Sequence, residues 1–290
     1  MSDIDPDDPG DPGFIQFYDL RTPEGRRLTL DSFRSHLRYH RKRLYRWVRE
    51  RTLLTDKSYS DAPEGKLIRI DPTAVTRETR TKMGTVLDEA NVVYGGRWDE
   101  ATLPLRSRFQ ARSMFRHFED GIPWEATRQY REVRSKLRRG QEWRGCTTED
   151  ELLAYLRRYD RLLEKIREEG YKSQAELLDE EPSVTKSQNR DAKRPRLNEI
   201  GVNVGRDGEL YWQFKGQHRL CLAQLLDLDS VPAVVVARHK HWQQIRDEIR
   251  AADDVEGLSD RATRHLGHPD LDDITPVSGS TTDRGRGRPD

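Results

Sequence analysis

The stretch GQHRLCLAQLLDLDSVPAVVV, Gly216–Val236, decides how the rest of the chain is read. A glycine separates a polar-alternating segment from an apolar helical pattern, and a Val-Pro-led apolar run follows. The preceding residues 198–216, NEIGVNVGRDGELYWQFKG, have period two. They predict a strand over Glu199–Val204, a turn at Arg206-Asp207-Gly208 and a return strand over Glu209–Lys215. His218–Leu226 then predicts a helix, and the continuous apolar run Val231–His239 predicts a buried strand. HWQQIRDEIR, residues 241–250, closes the series as a final helix.

The seam at Gly216 carries the candidate chemistry. Glycine permits positive φ and close backbone approach. The residues after it open a helix, whose first N–H groups have no intrahelical acceptor and whose dipole favours an anion. Arg219 adds a planar donor suited to phosphate or carboxylate, His218 a pH-dependent donor, and Lys215 a point charge. Glu199 begins the hairpin strand, and an exposed strand-end glutamate is its plain reading. Arg219 paired with a nearby carboxylate is the equivalent alternative for the turn.

Outward from this core, Lys66–Val75 (KLIRIDPTAV) predicts a short strand ended by Pro72. Gly95-Gly96 marks a turn, with Trp98 anchoring the loop. The helical pattern from about Arg106 to Leu178 is stopped at Gly121, Gly140 and Gly170, and Thr147 or Thr148 caps its longest member. Residues 179–196 are polar and turn-rich and read as a loop. Near the N-terminus, Ser32–Leu54 predicts a helix with Arg38, Arg41, Lys42, Arg43 and Arg46 interleaved with aromatics. Such a helix suits nucleic acid, an anionic lipid surface or an acidic partner, or is a solvated face. Arg238, His239, His241 and Trp242 form a second polar-aromatic cluster at a strand end, where sites of α/β sheets lie.

The Gly216–Val236 segment resembles the signature of the ParB/sulfiredoxin superfamily: a glycine, two polar residues, an arginine, an apolar helix with small residues, then a Val-Pro-led strand. KLIRIDP is similar to that family's first strand, and YDRLLEKIREEGYKSQ, residues 159–174, to the helix and glycine before its central hairpin. The match covers under half the chain. It implies an α+β fold, a small mixed ParB/sulfiredoxin-like sheet with helices plus a large helical insertion. On that layout residues 64–250 form one split domain. Its first strand lies in 66–75, the insertion at about 76–150 and the core at about 155–250. Residues 1–26 are then a disordered tail, 27–63 a basic helix and linker, and 251–290 a largely disordered extension.

In that superfamily the arginine-bearing turn is a nucleotide phosphate site, used by ATP-dependent sulfiredoxin, ADP-dependent serine kinases and CTP-hydrolysing ParB clamps. The resemblance implies a nucleoside di- or triphosphate with magnesium at Lys215, Gly216, Gln217, His218 and Arg219, with His218 and Glu199 as catalytic candidates, Glu199 as base or magnesium ligand if the sheet folds as in the family. Departures narrow it. Gln217 stands where sulfiredoxin has its reactive cysteine, which argues against sulfinic-acid repair. Gln217 and His218 replace the Glu-Arg of the ParB turn, no asparagine-containing metal motif follows, and no helix-turn-helix succeeds the core. Lys215 replaces the aspartate of the serine kinases.

Composition bounds the rest. Of 290 residues, 36% are charged against 33% hydrophobic, and the net charge is +1, so no whole-chain field argues for nucleic acid or membrane. Two cysteines, Cys146 and Cys221, make neither a disulfide framework nor a metal cluster, and Cys221 reads as a small core residue. No apolar run spans a bilayer and the acidic start is unlike a signal peptide, so a cytoplasmic protein is expected. Three functions stay open: a nucleotide-dependent phosphotransferase or hydrolase, a nucleic-acid-binding module, and a non-catalytic interaction protein.

Overall fold

In a computed structural model of the chain, residues 54–80, 91–180, 195–213 and 215–275 are described, all within the unit Arg49–Asp290. The apolar run expected to be a buried strand is the axis of the sheet. Strand β8, Val231–His239, is buried at all nine positions. With no charge before Arg238 it has no face to present to water, so both of its edges and both faces must be covered. β6, Ile200–Val204, runs parallel along one edge. The other edge is shared by β2, Leu67–Ile70, antiparallel, and by β4, Val92–Gly96, parallel.

The remaining strands complete an eight-stranded mixed sheet. β1 is Leu54–Tyr59, β3 is Arg77–Thr79, β5 is Thr102–Pro104 and β7 is Leu210–Trp212. Their order is β1-β4-β8-β6-β7-β3-β5, with β2 on β8. The hairpin β6–β7 forms as expected, with Val202 opposite Trp212.

Seven α-helices are described. α1, Phe109–Phe118, α2, Arg128–Leu137, and α3, Glu149–Glu169, form the helical layer. Thr148 and Glu151 make a reciprocal capping box at the start of α3, and Gly170 at φ 83° ends it. α4, Gln174–Glu180, follows. α5, Gln217–Leu225, sits between two cores. Its Leu220 and Ala223 join the sheet core, and its Cys221 and Leu222 join the core of the helical layer. This explains why QHRLCLAQL shows no single apolar stripe: the helix is enclosed on two sides. α6, Lys240–Ala251, returns across the sheet, and α7, Asp260–Thr263, lies in the C-terminal segment.

The structure is thus mixed α/β with a mixed sheet, but two boundaries move. The segment 76–150, expected to be a helical insertion, contributes β3, β4 and β5 to the sheet before its helices begin. β3 and β5 have three residues each, too few for a period to register, and β4 ends in Gly95-Gly96, the pair expected to mark a turn. β1 likewise occupies residues assigned to the linker. Residues 251–275, expected to belong to a largely disordered extension, are instead docked: Ala262 and Leu271 are fully buried, and Asp270 is enclosed between Arg238 and Arg246. Charge pairing and irregularly spaced apolar contacts of Leu258, Ala262, Leu266, Leu271 and Ile274 hold this segment, and neither leaves an apolar period. The expected 1–26 tail, residues 32–53 of the expected basic helix, most of the expected 179–196 loop and the residues beyond 275 lie outside the described residues. Among the described residues, no helix is long and apolar enough to cross a membrane.

Candidate functional site

Gly216 does occupy the left-handed region, at φ 73°, and is the N-cap residue of α5. What demands the glycine is strand β6: a Cβ at this position would lie 2.8 Å from Ile200 Cα. Backbone approach to the protein's own sheet, rather than to a ligand, fixes the residue type here. No side chain caps the first turn of α5.

Arg219 is committed internally. Its Nη1 donates to Glu199 Oε2 at 2.9 Å and to Tyr171 Oη at 3.4 Å, and its Nη2 donates to the Asn198 carbonyl. Glu199 is 1% exposed, and its other oxygen accepts from the Gln174 amide at 2.5 Å, at the start of α4. The carboxylate is therefore held between a guanidinium and a helix start. Burial pushes the Glu199 carboxyl above its ordinary range, against the lowering by Arg219. The chain thus brings Glu199 and Arg219 together, as partners of each other. Arg219, expected as a phosphate fork or paired with a nearby carboxylate, and Glu199, expected as a base or magnesium ligand, form an ion pair with each other here. The buried cluster needs both charges to neutralise each other.

The other turn residues are arranged around this pair. Lys215 Nζ donates to the Leu197 carbonyl at 3.3 Å. The His218 ring stacks on Tyr159 of α3, centroids 4.5 Å apart, which ties the start of α5 to the helical layer. Gln217 is buried, and its Nε2 has no hydrogen-bond partner among the described residues. The turn therefore keeps an uncapped helix start and one buried amide donor, while Arg219 serves the scaffold. Tyr171, Gln174 and Asn198 complete the bracket. Sequence reasoning missed all three, because their role depends on the chain returning after Gly170. The described residues contain no group of three His, Cys, Asp or Glu side chains arranged to hold a metal.

The second cluster is also internal. Arg238 donates to both oxygens of Asp270 and to Asn91 Oδ1, with Arg238 and Asp270 fully buried. Trp242 Nε1 donates to Asp270 Oδ2 at 2.8 Å. His239 Nδ1 accepts from the His241 amide, so its Nε2–H donates to the Gly96 carbonyl at 3.1 Å. Burial accordingly lowers the His239 pKa. Trp98 is fully buried and bonds Tyr94 O, the anchoring role expected of it. Cys221 is a core thiol, its pKa pushed up to about 12 by burial. Arg38, Arg41, Lys42, Arg43 and Arg46 lie outside the described residues.

Comparison with known proteins finds no matching family model, no matching curated protein and no matching solved structure.

Proposed function

We propose that the chain is a ParB/sulfiredoxin-like phosphate-binding protein whose ligand is a nucleoside di- or triphosphate held at the amino end of α5. The observation that carries this is the opening of α5 on left-handed Gly216 with no side-chain cap, next to a buried Gln217 amide nitrogen that lacks a partner among the described residues. Unfilled helix-start donors and an unsatisfied buried N–H both favour a negatively charged guest. Lys215, one residue before the glycine, adds charge. On this reading the main chain and Gln217 take the anion, and Arg219 fixes the bend.

The geometry supports binding rather than turnover. A phosphotransferase or hydrolase using Glu199 needs that carboxylate at the ligand, yet it is enclosed by Arg219 and the Gln174 amide. The test is thermal melting with ATP, ADP, CTP and GTP, each with magnesium. A ligand present at 100 times its Kd adds about 2.7 kcal/mol, which raises Tm by roughly 5–10 °C for a domain of this size. Gln217→Leu and Lys215→Ala remove most of that rise. Absence of any shift with all four nucleotides ends the proposal.

A further inference from the structure

The helical layer presents an arginine-rich surface that the α5 turn does not use. Residues 143–146 form a two-residue hairpin: the Trp143 amide donates to the Cys146 carbonyl at 3.0 Å, and the Cys146 amide to the Trp143 carbonyl at 2.9 Å. Its two central residues are Arg144 at φ 50° and Gly145 at φ 80°. That pair of positive φ values is the tight turn that normally takes Asn-Gly; an arginine there is strained. Strain of this kind persists where the side chain has a use.

Arg144 is displayed beside aromatics. Its guanidinium lies 5.3 Å from the Trp143 ring centroid, and its Nη1 donates to Tyr155 Oη at 2.9 Å. Arg158 lies 5.3 Å from the Tyr155 ring, and the Trp143 and Tyr155 rings meet edge-on at 5.1 Å. On α2, just after it and on α3, Arg131, Arg134, Arg139, Arg157, Arg158 and Arg161 form no ion pair among the described residues. Elsewhere the same chain pairs its arginines heavily, as at Arg206–Asp99 and Arg106–Glu119. Between Arg128 and Arg161 the sequence holds ten arginines and lysines against six acids, a local excess of four positive charges in a chain whose net charge is +1.

We propose that the Trp143–Arg144 hairpin with the adjoining arginines of α2 and α3 is a contact surface for single-stranded nucleic acid. Guanidinium forks match phosphate oxygens, and arginine-flanked aromatics accept bases without regard to sequence. A membrane is disfavoured because the exposed large hydrophobic residues among those described, Tyr59 and Leu67, lie on β1 and β2 rather than on this surface. The surface is independent of the nucleotide reading at α5.

The test uses the full chain and a fluorescent 20-nucleotide oligo-dT or oligo-U, titrated from about 50 to 200 mM salt. The variant R134Q/R139Q/R144N/R158Q removes four charges, keeps the Arg138–Glu149 pair and places asparagine in the left-handed turn position, where it fits. Circular dichroism and melting first verify that it folds. At about 0.7 per phosphate contact, four lost contacts flatten the log-affinity versus log-salt slope by nearly 3 and weaken binding on the order of 10²-fold or more. A control, R97Q/R106Q, removes exposed charge on other elements and leaves the slope unchanged. The proposal is overturned by any of four results. They are no binding by the wild type at the lowest salt, an equal loss in the control, equal competition by a poly-glutamate of matched charge, or binding to anionic vesicles with the same variant sensitivity.

Discussion

Replacing Glu199 with glutamine tests whether Arg219 belongs to the scaffold. The substitution keeps the side-chain shape but removes the charge that faces the guanidinium at 2.9 Å. Arg219 keeps the Asn198 carbonyl and the Tyr171 hydroxyl, neither of which carries a charge. Removing one partner of a buried pair costs about 3–5 kcal/mol, because the survivor stays desolvated without compensation. The Arg219 side chain is 16% exposed, so water screens part of the loss and the lower end applies, about 3 kcal/mol. For a folded unit of this size that corresponds to a fall in Tm of roughly 6–12 °C. The double variant Glu199→Leu, Arg219→Met removes both charges and recovers most of the loss, since apolar replacements of similar volume tolerate burial. Thermal and urea melts of the two singles and the double give the coupling directly. A Glu199→Gln variant that melts within about 2 °C of wild type, where a fall of 6–12 °C is expected, refutes the pairing and returns Arg219 to the ligand.

Three further outcomes follow from the same geometry. Gly216→Ala places a Cβ 2.8 Å from Ile200 Cα and forces an L-residue to φ 73°; it destabilises by at least about 1–2 kcal/mol in a denaturant melt. Asp270→Asn leaves Arg238 and Arg246 buried around a neutral side chain and costs about 3 kcal/mol or more. The guanidiniums hold the Asp270 carboxyl below its ordinary range despite burial. A depressed carboxylate pKa gives stability that is complete above the unfolded value of about 3.9 and is lost as pH falls below it, so melts between about pH 5 and 2 show a shallower acid loss in Asp270→Asn than in wild type. Cys221, with its thiol pushed up to about 12 and fully buried, stays unlabelled by iodoacetamide at pH 8 in the folded protein and reacts only on unfolding.

The parts of the fold legible in sequence are those where burial writes a period. Val231–His239 is buried at every position and reads as an unbroken apolar run. The α3 stripe Leu152, Leu156, Tyr159, Leu163 and Ile166 repeats at helical spacing, and its cap and terminating glycine are explicit. β3 and β5 are three residues each and pair with strands far away in sequence, so no local pattern announces them. The C-terminal segment escaped for another reason: Asp270 is its buried anchor, and the first of three aspartates in HPDLDD looks like any solvated acid until Arg238 and Arg246 close on it. At the Gly216 turn the residue types were legible but their direction was not. Glycine beside arginine suits a phosphate and equally suits a helix packed tightly on a strand, and Ile200 and Glu199 decide for the second at those two positions.

The most direct measurement is an amide-resolved NMR titration with ADP or ATP and magnesium. The largest shifts are expected at the backbone amides of Gln217, His218 and Arg219 and at the Gln217 side-chain amide, with the Arg219 Nε–H resonance little changed. Motionless amides in the first turn of α5, or a response led by the Arg219 guanidinium, would contradict the proposed division between an anion-holding helix start and a structural arginine.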